Sequence, residues 1–316
     1  MRPTGSFGVV CHYIELRTRP CGAQYEHNML EERVLQLSQF TSGVYTNSYI
    51  TSVYENNAAG LLRVARILAS RGYGAYRISS ALFPLMDLVP ESLYNTPTIR
   101  NLLYTAGKVF RDNDIRVSMH PGQFAVISSD SPATRVKCVT ELLNHAWVLD
   151  NMGYQQDYTN PINIHGGKRD RLKNIVDQYN ELPQTVKQRL TFENDESSYN
   201  VYDLLSVTEY TGAPIVFDSH HWSFNTGDMS LNDAYSASII TWPDGIRPLQ
   251  HVSNTEPEFE GGNFIQRRKH SRLIYHVPQI QLDGVQSGAI DLECEAKGKN
   301  IAVDILRNRY GFGLFK

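Results

Sequence analysis

The chain has little of what usually braces a small secreted protein or anchors a membrane one. Its 316 residues include four cysteines, Cys11, Cys21, Cys138 and Cys294, and no two of them form a C-x-x-C pair. That argues against a disulfide framework and against a cysteine zinc site, so the thiols read as reduced, in a cytoplasmic protein. No run reaches the roughly 18 apolar residues of a membrane span. The opening Met1-Arg2-Pro3-Thr4-Gly5-Ser6 lacks the apolar stretch of a secretory signal. An excess of one charge is also missing: the formal net charge is −3. Whole-protein charge therefore announces no nucleic-acid partner, although carboxylates neutralised by bound cations would mask one. Linkers, low-complexity tracts and internal repeats are absent too. At 41% hydrophobic and 20% charged, the composition is that of one globular domain over residues 1–316.

What is present is a recurring ending. Six short apolar runs each stop on a residue able to bind a metal: Ile115–Met119 then His120, Pro161–Ile164 then His165, Leu190–Phe192 then Glu193, Pro214–Phe217 then Asp218, Pro248–Gln250 then His251, and Ile290–Cys294 then Glu295. Each reads as a buried strand whose end turns toward a shared site, because an unpaired buried charge costs several kcal/mol (about 3–5). Ser6–Cys11 and Tyr76–Ser79 supply two further strands.

Helical patterns alternate with these strands. Leu61, Val64, Ala65 and Leu68 share a face, and Thr96-Pro97 and Ser131-Pro132 each place a cap before a first-turn proline. Weaker patterns cover Arg171–Tyr179, Tyr199–Tyr210, Asn232–Ile240, Ser271–Gln281 and Lys299–Asn308. Strand–helix alternation implies parallel pairing. The expected fold is a single (β/α)8 TIM barrel with its metal site at the C-terminal face of the strands. An open doubly wound sheet is the rival, but it gathers ligands at one switch point rather than from six strands. Residues 20–54 and 254–270 read as long polar insertions on the active face.

Histidine, aspartate and glutamate without thiolates suit Mn2+, Zn2+ or Fe2+. Two close metals need a bridging carboxylate, and Glu193, on the middle strand of the series, is the candidate. Lys168 follows His165, and Arg267 and Arg268 lie in the seventh loop, where they would face phosphates. Tyr13, Phe124 and Trp222 stand next to strand ends and would stack on bases. His12, His27, His145 and His276 have no comparable position and read as ordinary polar residues.

In order, Tyr76-Arg77-Ile78-Ser79-Ser80-Ala81-Leu82-Phe83-Pro84, His120-Pro121-Gly122-Gln123-Phe124, His165-Gly166-Gly167-Lys168, Glu193-Asn194-Asp195-Glu196, Phe217-Asp218-Ser219-His220-His221 and Glu295-Ala296-Lys297 resemble the UV damage endonuclease family. The resemblance implies a metal-dependent DNA repair endonuclease that nicks the phosphodiester backbone 5′ to UV-induced lesions. It implies His120 and His165 on one metal, Glu193 bridging, Asp218, His251 and Glu295 on a second, and His221 and His270 on a third. It makes Glu193, Glu295 and Lys297 catalytic-site residues and puts Gln123 and Phe124 into the duplex at the lesion. The cofactor it implies is a divalent cluster of two or three ions, Mn2+ first, with Zn2+ or Mg2+ as alternatives. The partner is lesion-bearing double-stranded DNA, with no membrane and no obligatory protein partner, and the chain would act as a monomer. The chain departs from the family at Val9, Leu88 and Leu249, which bears on the third metal and on the grip of flipped nucleotides, where Tyr13 is the candidate substitute. The competing readings are a sugar isomerase or epimerase on the same barrel and a non-catalytic binder of damaged DNA.

Overall fold

The computed structural model describes residues 4–122 and 125–312; the expectations for Gln123 and Phe124 lie outside them. The described residues form ten strands: β1 (Phe7–Cys11), β2 (Ile14–Thr18), β3 (Gln24–Asn28), β4 (Ala75–Ile78), β5 (Arg116–Met119), β6 (Ile162–His165), β7 (Leu190–Glu193), β8 (Ile215–Asp218), β9 (Leu249–Val252) and β10 (Asp291–Cys294). Eight of them close a parallel barrel in the order β1-β10-β9-β8-β7-β6-β5-β4, and β2 and β3 form a separate antiparallel pair. Closure excludes the open sheet. The core lies between barrel and helices, where Ile162, Phe192, Ile215, Phe217 and Leu292 are buried against helix residues such as Leu142, Leu204 and Leu306.

The two Xaa-Pro caps form as expected. Thr96 and Ser131 each accept a backbone N–H at the start of the helices Pro97–Asp112 and Pro132–Asn151. Elsewhere the boundaries move. The helix expected from the Leu61–Leu68 pattern begins at Asn47, capped by Thr46, so the first insertion holds the second strand of the β2–β3 hairpin, a short helix over Leu37–Thr41 and the first turns of this one. The helix expected over Ser271–Gln281 is displaced to Gln279–Ser287. Its anticipated first turns are held extended because the Asn254 side chain captures the backbone N–H groups of Tyr275 (2.7 Å) and His276 (3.0 Å). Pro278, which lacks an N–H, then sits at the start of the helix, where that donor is not needed. The two insertions meet at an Arg272–Glu26 ion pair.

The barrel interior departs from the usual branched apolar layers. Arg77, Ser118, Asn163, Thr191, Glu193, His251, Asp291 and Glu293 are all buried. At the N-terminal mouth, Arg116 donates to the carbonyls of Arg247 (2.7 Å), Thr159 (2.8 Å) and Tyr158 (3.1 Å) and reaches Asp291 at 3.5 Å. Arg247 meets the same carboxylate at 3.4 Å.

Candidate metal centre

The six strand-end residues converge at the C-terminal mouth. His120 directly follows β5, His165, Glu193 and Asp218 end their strands, His251 is one residue from the end of β9, and Glu295 directly follows β10. In one group, His120, His165 and Glu193 bring donor atoms within 4.8 Å of one another; in a second, Glu193, Asp218, His251 and Glu295 do the same. Glu193 belongs to both, as a bridging carboxylate must.

Glu193 is fully buried. Its Oε2 lies 3.2 Å from His120 Nε2 and accepts from the Asn163 amide. Its Oε1 lies 3.0 Å from His251 Nδ1 and 3.3 Å from His221 Nδ1, yet makes no hydrogen bond. Asp218 caps the short helix Ser219–Trp222: its Oδ1 accepts from the backbone of His220 (2.7 Å) and His221 (2.8 Å), while Oδ2 makes no hydrogen bond and lies 3.9 Å from His221 Nδ1. His165 Nδ1 is likewise buried and unpartnered. Three buried polar atoms left without hydrogen bonds, two anionic and one a ring nitrogen, are the donor set a divalent cation needs, and leaving them bare is costly. The residues therefore fit the ion.

Electrostatics agree. Burial alone would raise the Glu193 carboxyl, but His251 and His165 hold it well below the carboxylate range. Glu295, opposed in the same way by burial, is held well below that range by Arg77, His270 and His251. Burial depresses His221 and His251, but Asp218 and Glu193 raise His221 well above its usual value, and Glu193 lifts His251 to about 10. Burial draws His165 downward against the pull of Glu193.

His221 and His270 lie at the edge of this cluster, ring centres 6.1 Å apart, with His270 Nδ1 3.3 Å from Glu295 Oε2. His221 Nδ1 is occupied by the Asn194 carbonyl at 3.0 Å, which turns Nε2 outward toward Glu196 at 3.9 Å. His165 reaches its place because Gly166 follows it: a Cβ there would stand 2.4 Å from the Tyr199 ring. Lys168 is exposed and 3.9 Å from Asp130. Arg267 lies over the Phe224 ring, and Arg268 is 2.6 Å from Glu196.

One expectation is displaced. Tyr13 is 1% exposed, packed edge-on against Tyr73 and under Arg71, so it is a core residue and cannot stack on a base. Its neighbour Ile14 is clamped by Asn300, whose side chain bonds both the Ile14 N–H (2.7 Å) and its carbonyl (3.0 Å). Trp222 is half-buried and donates to the Met229 carbonyl. Lys297 is exposed, and its charge is felt by Glu256 in the seventh loop. The cation beside Glu295 is instead Arg77, whose Nη1 is 2.5 Å from Oε1. Arg77 and Glu293 were not foreseen. Their signals were an arginine inside an apolar strand and the alternation Asp291, Glu293, Glu295, which puts three acids on one face.

A closed parallel barrel with histidine and carboxylate donors at its C-terminal mouth defines a TIM-barrel protein with a candidate polynuclear cation centre. The family described as UV-endonuclease UvdE matches residues 5–310, and the chain belongs to that family. It is 33% identical over 285 residues to the UV DNA damage endonuclease of Deinococcus radiodurans, covering 87% of this chain and 90% of that one. It is 31% identical over 314 residues to the UV DNA damage endonuclease of Nostoc sp., covering 97% and 90%. The crystal structure of SacUVDE superposes with a TM-score of 0.77 at 26% identity, covering 96% of this chain and 99% of that one. Endonuclease IV from Thermus thermophilus shares the fold, with a TM-score of 0.55 at 11% identity. The chain is thus a DNA repair endonuclease, and the sugar-isomerase reading falls. No helix among the described residues is long and apolar enough to cross a membrane.

Proposed function

We propose that the chain nicks double-stranded DNA 5′ to UV-induced lesions, acting as a monomer with two or three divalent cations, Mn2+ first and Zn2+ or Mg2+ as alternatives. His120, His165 and Glu193 would hold one ion, and Glu193, Asp218, His251 and Glu295 a second. His221 and His270 would hold the third. Bound there, such ions would lower the pKa of a water and stabilise the leaving oxygen of the scissile phosphate. The observation that carries this reading is the set of buried atoms without a hydrogen bond, Glu193 Oε1, Asp218 Oδ2 and His165 Nδ1.

The chain's own residues supply the rest. Asn163, itself held by Thr191 at 3.0 Å, fixes the Glu193 carboxylate from the neighbouring strand β6. Asn194 exchanges hydrogen bonds with the Asp218 backbone (2.8 and 3.0 Å) and so locks β7 to β8 at the site. Lys168, Arg267 and Arg268 would bind backbone phosphates. Gln123 and Phe124 would fill the gap left by unstacked nucleotides, which cost less to extrude at a lesion. Lys297 would act on the substrate from the rim rather than at the ions.

The test is Glu193→Gln, assayed on UV-irradiated duplex with Mn2+ and on defined lesions. Nicking should fall by at least about 100-fold, because losing a ligand should cost more than losing an outer partner of one. Undiminished nicking would remove Glu193 from the mechanism.

A further inference from the structure

Beneath the donor groups lies a second set of polar side chains. Glu293, on β10, is 1% exposed and points into the barrel. Its Oε2 accepts from Arg77 Nε at 2.7 Å and lies 3.2 Å from His251 Nε2; its Oε1 accepts from the Ser118 hydroxyl. The first strand leaves room for it. Gly8 pairs with Glu293 across β1 and β10, and a Cβ on Gly8 would stand 2.9 Å from Glu293 Cγ. Arg77, from β4, completes the frame, with Nη2 2.8 Å from His251 Nε2 and Nη1 2.5 Å from Glu295.

We propose that Glu293 is a positioning residue for the second metal: it accepts the Nε2–H of His251 and thereby turns the Nδ1 lone pair toward Glu193 and Glu295. This rests on the metal-centre reading given above. A neutral imidazole carries one proton, so Nδ1 is free to ligate only when that proton is on Nε2. Among the described residues, the side chains within 3.5 Å of Nε2 are Arg77 and Glu293. A guanidinium donates and never accepts, so only Glu293 can take the Nε2 proton. Without it, neither side chain near Nε2 accepts its proton, and Arg77 Nη2, 2.8 Å from Nε2 and 3.3 Å from Nδ1, selects neither tautomer. Arg77 and Ser118 hold the carboxylate in place, and Gly8 keeps its seat clear. The arrangement is the carboxylate–histidine–metal relay in which the outer partner fixes the tautomer.

The experiment is a titration of the full-length, chelator-stripped chain with Mn2+, with free ion followed by electron paramagnetic resonance and no DNA present. Wild type should bind one Mn2+ at each donor group. Glu293→Leu should weaken the second site by about 10–100-fold and leave the site of His120, His165 and Glu193 unchanged. Glu293→Gln, whose amide oxygen still accepts from Nε2–H, should bind close to wild type. In the Zn2+-loaded protein, a protected imidazole Nε2–H, assigned with His251→Gln, should be present in wild type and in Glu293→Gln and absent in Glu293→Leu. Should the leucine variant fail to fold, Gly8→Ala serves instead: its Cβ displaces the carboxylate without altering the charge, and the second site should weaken in the same direction. Wild-type second-site affinity in the folded variant, with Nε2–H retained, would overturn the assignment. A wild-type chain that takes up no Mn2+ would overturn the metal centre and this inference with it.

Discussion

The two mouths of the barrel carry the same kinds of side chain and treat them oppositely. At the N-terminal mouth, Asp291 lies between Arg116 and Arg247, and the Arg116 guanidinium is shared among three backbone carbonyls besides. Charge there is answered from within the chain by opposite charge. At the C-terminal mouth and just below it, Glu293 and Glu295 share the Arg77 guanidinium, Glu193 and Asp218 face histidines, and buried carboxylate oxygens are left with no hydrogen bond. Buried charge at one end closes the structure; at the other it prepares a place for cations. The difference is one of satisfaction rather than composition, and that is what separates a structural ion pair from a candidate active site.

The contrast can be broken from the closed end first. Arg116→Met leaves Asp291 with less compensation and should cost about 3–5 kcal/mol in urea unfolding, with Mn2+ binding by the folded fraction unchanged. A variant that instead loses metal affinity would mean the two mouths are coupled.

A histidine just outside the site sharpens the comparison. His145 is buried with Nε2 unpartnered, and desolvation, against one backbone hydrogen bond, lowers it from 6.5 to about 4. Its folded-state value is depressed, so stability is intact above pH 6.5 and is lost progressively as pH falls toward 4, where the loss saturates. The effect should amount to about 3 kcal/mol at 1.36 kcal/mol per unit. His145→Gln, unfolded in chelator across that range, should show a shallower acid limb than wild type; parallel curves would mean His145 is solvated.

At the open end, cations should stabilise. Mn2+ at 100 times its dissociation constant should raise stability by about 2.7 kcal/mol, read as the shift in thermal unfolding between metal and chelator. Glu193→Gln should abolish most of that shift. The smallest effect belongs to the rim. Arg267→Ala should lower the salt dependence of DNA binding by about one unit of log–log slope and leave Mn2+ binding alone.

Much of this was legible in the sequence because strand ends are punctuated. The six metal-capable residues mark both the strand ends of the barrel and the mouth where they converge, so one pattern carries the fold and the candidate ligand set. What could not be read depends on contacts between distant segments. Tyr13 looked like a surface aromatic because nothing near it in sequence reveals Asn300 clamping the adjacent Ile14 from 286 residues away. Arg77 and Glu293 lie within strand bodies, where alternation decides what faces inward, and only closure of the barrel shows that they meet. The Ser271–Gln281 pattern had helical spacing, but the Asn254 side chain outcompeted it for backbone donors.

Closure itself has a temporal consequence. β10, which brings Glu295, pairs with β9 on one side and with β1, near the other end of the chain, on the other. Until that last seam forms, a chain still emerging from the ribosome has His120, His165 and Glu193 but neither Glu295 nor the Glu293 that steadies His251. The barrel and the candidate cation centre are therefore completed together, by the strand that is made last.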